Sequence, residues 1–119
     1  MEPPKIKVLG IAPYEAMKNV MEKLARKRPH MEMDVYVGDL KKGVDIAQKN
    51  IQGNYDVIIS RGGTAEMIGK VTHIPVIEIS LSVYDILRAM KLAENYSDKY
   101  AVVGFPSITS SAHLLCDLL

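Results

Sequence analysis

Five times along this sequence, a short run of aliphatic and β-branched residues is followed by a stretch whose apolar residues recur every three or four positions. The runs are 6–12, 31–37, 56–60, 74–79 and 100–105. The helical stripes are Met17, Val20, Met21 and Leu24, then Leu40, Val44, Ala47 and Ile51. A short stretch through Glu66 to Lys70 follows, then Val83, Ile86, Leu87, Met90 and Ala93, and last Ala112, Leu115 and Leu119. Short apolar runs read as strands, and the longer period is that of helices with one buried stripe. Regular alternation of the two implies a parallel sheet, right-handed crossovers and helices on both faces. This predicts an α/β, flavodoxin- or Rossmann-like three-layer sandwich with a five-stranded parallel sheet in the order 2-1-3-4-5.

The first run is almost wholly apolar after Lys7, as a strand covered on both faces requires. The second alternates Met31, Met33, Val35 and Val37 with Glu32, Asp34 and Tyr36, which places it half-buried at a sheet edge. Asp39 is placed to cap the second helix, and Gly53-Asn54 to close it. Gly43 inside that helix costs up to ~1 kcal/mol against alanine. Ser82 to Asp85 fits a capping box for the fourth helix.

At 119 residues the chain has the length of one domain. A net charge of +1 gives no basic stripe, so no direct nucleic-acid contact is expected. Cys116 is the sole cysteine and falls in a helix-interior pattern, which reads as core. With no internal disulfide, no secretory start and no apolar run near the ~20 residues that span a bilayer, the expected location is cytoplasmic, with no membrane contact.

In an open parallel sheet, ligands sit at the carboxyl ends of the strands where the order reverses. Here that is between strands one and three, so the flanking loops are Pro13-Tyr14 and Ser60-Arg61-Gly62-Gly63-Thr64. The second loop joins a strand to a helix start. Free backbone N–H groups there favour an anion, the glycines let a ligand approach them, and Arg61 adds a positive fork suited to a carboxylate or phosphate. A βα turn that needs glycine only for its backbone angles is the competing reading. Tyr14, Ser60, Arg61, Thr64, Ser80, Ser82, Tyr84 and Ser107 add up to a set of donors and one cation, poor in general bases. Such a set binds an anion rather than transforming it, so no catalytic residue is assigned.

No dinucleotide glycine fingerprint and no P-loop occur, and no cofactor is expected. Strand three ends in Ser60 rather than an acidic phospho-acceptor. His30, His73 and His113 lie far apart, without metal spacing, so no metal is expected.

The segments 59–68, 74–79 leading into 84–88, and 101–106 resemble, in that order, the N-terminal sensory domain of the propionate catabolism operon regulator (PrpR-type) family of sigma-54-dependent activators. The likeness is strongest from Tyr55 to Pro106. It implies a sensor at the head of a bacterial transcription activator, built of two α/β lobes like a periplasmic binding protein with a cleft between them. It implies a tricarboxylate inducer, 2-methylcitrate. By position, Ser60, Arg61, Gly62, Gly63 and Thr64 would form the cleft floor, with Tyr84, Phe105 and Pro106 beside it. The family's AAA+ ATPase and DNA-binding domains would be attached in the intact protein. On this reading, residues 1–119 are a single sensory lobe of a truncated sensor, whose apolar surface predicts homodimerisation or other self-association. Two further functions compete. One is a protein–protein interaction module with no small ligand. The other is a small isomerase or lyase, for which only Asp85, Glu66 and His113 are available as bases near strand ends.

Overall fold

The computed structural model describes residues 4–118, which fall into two compact units, one ending at Ile79 and one beginning at Ser80. The first unit runs β1 (Ile6–Ala12), α1 (Glu15–Arg26), β2 (Met31–Val37), α2 (Lys41–Asn50), a 3-10 turn (Ile51–Gly53), β3 (Val57–Arg61), α3 (Gly62–Gly69) and β4 (Val76–Ile79). All strands are parallel, in the order β2-β1-β3-β4. Gly10 stands beside both Val35 and Ile59, and Ile59 beside Ile77, which fixes the register. A one-residue slip would turn every apolar side chain to the wrong face. The order reverses between β1 and β3, as the alternation of elements predicts.

On one face of the sheet, Leu9, Ile11, Ala47, Ile58 and Ile68 form a fully buried cluster under α2 and α3. Burying each of the larger side chains is worth about 1.5–3 kcal/mol. On the other face α1 covers β1 and β2, and of its expected stripe only Met21 is fully buried. Val20 and Leu24 remain 54% exposed. At the amino end of the sheet, the Lys7 N–H donates to Asp56 Oδ2 at 2.8 Å and the Asp56 N–H to the Lys7 carbonyl at 2.8 Å. The turn before β3 closes on Asn54 in the left-handed region (φ 60°), which asparagine tolerates.

The second unit pairs α4 (Val83–Glu94) with α5 (Pro106–Leu118) around Ile86, Met90 and Ala112. The Ser82 hydroxyl accepts from the Tyr84 N–H at 3.1 Å, so Ser82 is the expected cap of α4. Residues 100–105 correct the strand count: they form no strand, and among the described residues the sheet has four strands rather than five. Their composition suits a strand, but a ladder needs a second backbone alongside. Residues 100–103 instead line a cavity of about 360 Å3 together with side chains of α4 and Ile108. Cys116 corrects a second expectation, since it is exposed on α5 while Ala112 and Leu115 turn inward. Leu119, expected on the inward side of the last helix, lies outside the described residues.

Gly43 sits where α2 crosses the sheet. A Cβ there would stand 2.5 Å from Thr64 Cγ2 and 2.9 Å from the Gly38 carbonyl oxygen. Propensity alone favours alanine by up to ~1 kcal/mol, but a methyl forced against backbone costs more than that. Gly43→Ala is therefore expected to destabilise the fold by ~1–3 kcal/mol in urea denaturation, the reverse of its effect in an uncrowded helix.

Candidate functional site

The site is built where β1 and β3 end side by side. β1 leads through Pro13 and Tyr14 into α1, and β3 runs without a connecting residue into α3. Arg61 is the N-cap residue of α3, still extended at φ −129° and ψ 139°. Gly62 then takes φ 56°, a conformation that costs L side chains energy and glycine almost nothing. A Cβ added at Gly62 would meet nothing within 4 Å, so the space above it is open. The glycine is required there by backbone angle, and the opening leaves room for a ligand. The amides that begin α3 have no intrahelical acceptors, and the helix dipole makes this end positive.

The Arg61 guanidinium extends this positive end. Its Nη1 donates to Tyr14 Oη at 2.7 Å, linking the two loops that flank the order reversal. The partner is a neutral phenol, so the arginine is oriented without losing its charge. Arg61 takes no part in the ion pairs Lys18–Glu15, Lys91–Glu94 and His113–Asp117.

The hydroxyls of Ser60 and Thr64 face the other way. Ser60 is fully buried and donates to the Ile11 carbonyl at 2.7 Å, tying the end of β3 to the end of β1. Thr64 is also buried; it accepts from the Leu40 N–H at 2.9 Å and donates to Asp39 Oδ1 at 3.0 Å. Both side chains are scaffold in this geometry. What Thr64 can offer a ligand is its main-chain N–H. The Asp39 carboxylate, expected to cap α2, is drawn to Thr64 instead, and Leu40 becomes the N-cap residue with no side-chain cap. Leu40 has φ 47° and ψ −117°, a backbone state that costs a non-glycine residue about 1–3 kcal/mol. The Asp39–Leu40 loop is thus part of the wall behind the site. Periodicity could not assign it there, because its signal, an acid before a helix, is also that of an ordinary cap.

Pro13, Tyr14, Ser60, Arg61, Gly62, Gly63 and Thr64 are brought together in the first unit. Ser82, Tyr84, Phe105 and Pro106 belong to the second. There Ser82 caps α4, and the exposed Tyr84 ring lies 5.5 Å from the Arg88 guanidinium. The Phe105 carbonyl accepts from Ile108 and Thr109, and Pro106 opens α5. Among the described residues, no group of three His, Cys, Asp or Glu side chains could hold a metal ion. No helix among them is long and apolar enough to cross a membrane.

Compared with known proteins, residues 27–119 match the family model described as propionate catabolism activator. The fold matches the crystal structure of an NtrC family transcriptional regulator from Clostridium acetobutylicum, with a TM-score of 0.64 and 27% sequence identity. The likeness covers 89% of this chain and 59% of that one, so this chain spans less than two thirds of the length of the chain it matches. No curated protein matches the chain.

The buried Thr64 hydroxyl serves two partners at once. Thr64→Val keeps the shape, strips the Leu40 N–H of its acceptor and leaves the Asp39 carboxylate short of a donor. The expected loss is about 1–3 kcal/mol in chemical denaturation, with Thr64→Ser recovering most of it.

Proposed function

The chain belongs to the propionate catabolism activator family, and on that premise we propose that the corner formed by Tyr14, Arg61, Gly62 and Gly63 binds a small polycarboxylate. The family is one of transcription activators of the sigma-54 type, and the chain is a regulatory sensor domain of such a protein. The observation that carries the ligand reading is the Arg61 guanidinium, held by a neutral phenol beside the open amino end of α3. A carboxylate seated there would take charge-assisted bonds from the guanidinium and from main-chain N–H groups, each worth about 1.5–3 kcal/mol. A ligand with several carboxylates would engage both donor sets at once. 2-Methylcitrate is the compound that the family points to, and its three carboxylates suit such a seat.

In the intact protein the binding event would be passed to an attached sigma-54 ATPase and a DNA-binding domain. This domain itself would not touch DNA and would work in the cytoplasm. Donors and one cation, with no general base assigned, support binding over turnover.

Calorimetric titration with 2-methylcitrate, citrate and tricarballylate, at low and high salt, tests the reading. Arg61→Ala is expected to weaken the best of these acids by about 10–100-fold. Gly62→Ala is expected to weaken it less, by shifting the first amides of α3. An Arg61→Ala variant that binds as tightly as the parent would remove the arginine from the site. Failure of all three acids on the parent would refute the polycarboxylate.

A further inference from the structure

The amino end of α3 stands between a cation and an acid. On one side the Arg61 guanidinium reaches Tyr14, which leads into α1. On the other the Thr64 hydroxyl reaches Asp39, which stands before α2. α1 and α2 pack on opposite faces of the sheet, so the two charged groups flank the first turn of α3 from opposite sides. The Gly38 N–H donates to the Ala12 carbonyl at 2.9 Å, which holds the loop after β2 against the end of β1. Asp39 is thus fixed at the carboxyl end of the sheet, beside the place where β1 and β3 part. One hydrogen bond of 3.0 Å and the reach of the Thr64 side chain put Asp39 Oδ1 within about 7 Å of the Thr64 main-chain nitrogen.

What this acid offers differs in kind from the rest of the corner. Arg61 and the amides that begin α3 only donate. An ionised aspartate only accepts, through two oxygens with about four lone-pair directions. The Thr64 hydroxyl fills one of them, and Asp39 is exposed, so acceptor capacity is left toward solvent. A ligand carboxylate would meet donors near Arg61 but like charge near Asp39. At this separation, with solvent screening, such a charge lowers affinity by about 3–10-fold. A hydroxyl in the same place would instead donate to the carboxylate, in a charge-assisted bond stronger than one between neutral groups. On the polycarboxylate reading, we propose that Asp39 is a specificity-determining residue, whose carboxylate accepts from a hydroxyl of the ligand. The corner then takes a hydroxypolycarboxylate over its unsubstituted counterpart.

Citrate and tricarballylate differ by one hydroxyl and carry the same three carboxylates, so titration of the 119-residue chain with each by calorimetry is the test. Citrate is expected to bind about 5–30-fold tighter. Asp39→Asn keeps the size of the side chain and an oxygen for Thr64, removes the charge and adds an amide donor. In that variant the preference for citrate should shrink to about twofold or less, and tricarballylate should bind about 3–10-fold tighter than to the parent, an effect that fades at high salt. A purely structural role would weaken both acids together. Equal binding of the two acids by the parent, or the same preference in parent and variant, would overturn the role of Asp39 and leave the polycarboxylate reading standing. If circular dichroism shows that the variant does not fold, the parent's preference alone decides. A parent that binds neither acid would overturn that reading, and the role of Asp39 with it.

Discussion

The pairing of β1 with β3 is the constraint from which the rest of the first unit follows. These strands are neighbours in the sheet but not in sequence, since β2 goes to the far side of β1. The connections leaving their carboxyl ends must therefore part, one toward each face, and a crevice is left between them. What holds the crevice in shape is a buried hydroxyl: Ser60 bonds the Ile11 carbonyl and locks the two strand ends together. Two residues later the backbone turns through Gly62, and Thr64 ties the start of α3 to the loop after β2. Three strand ends are thus connected through two side chains that solvent does not reach.

This explains which parts of the fold were legible in the sequence. The order β2-β1-β3-β4, the edge position of β2 and the place of the reversal follow from periodicity and from the handedness of crossovers, both of which are local or general. The fate of residues 100–105 does not. A run such as Tyr-Ala-Val-Val-Gly-Phe carries strand propensity, but the property that makes a strand is the presence of another backbone alongside, which no propensity encodes. Cys116 was unreadable for a related reason. In α5 a shift of one residue separates Leu115, turned inward, from Cys116, turned out, and a short apolar helix fits more than one phase.

The site shows the same division. The glycines and Arg61 announce a positive helix start by type and position alone. Ser60 and Thr64 read as further donors for a ligand because their hydroxyls are chemically suited to it. Burial decides otherwise: a hydroxyl without solvent must find a protein acceptor, and both do. Asp39 shows how such a competition is settled. At a helix start its carboxylate could take a main-chain N–H, but a buried threonine hydroxyl within 3.0 Å has no water as an alternative partner, whereas exposed amides at a helix start do.

The choice of partner for Arg61 bears on how a sensor of this design would discriminate. Had a carboxylate of the protein oriented the guanidinium, an incoming anion would have to displace it, and the gain would be the difference between two similar pairs. A phenol avoids this. It fixes one Nη position through a bond of 2.7 Å and, being neutral, does not itself compensate the charge. The protein then bears the cost of holding an arginine fork in one orientation before any ligand arrives, so less of the ligand's interaction energy is lost to ordering it. The same geometry penalises ligands without an anionic group, because burying the fork under a neutral molecule would strip its water and return only weaker bonds. Selectivity for charge over shape would thus rest on the Tyr14–Arg61 contact, and discrimination among anions on how far apart the guanidinium and the α3 amides stand.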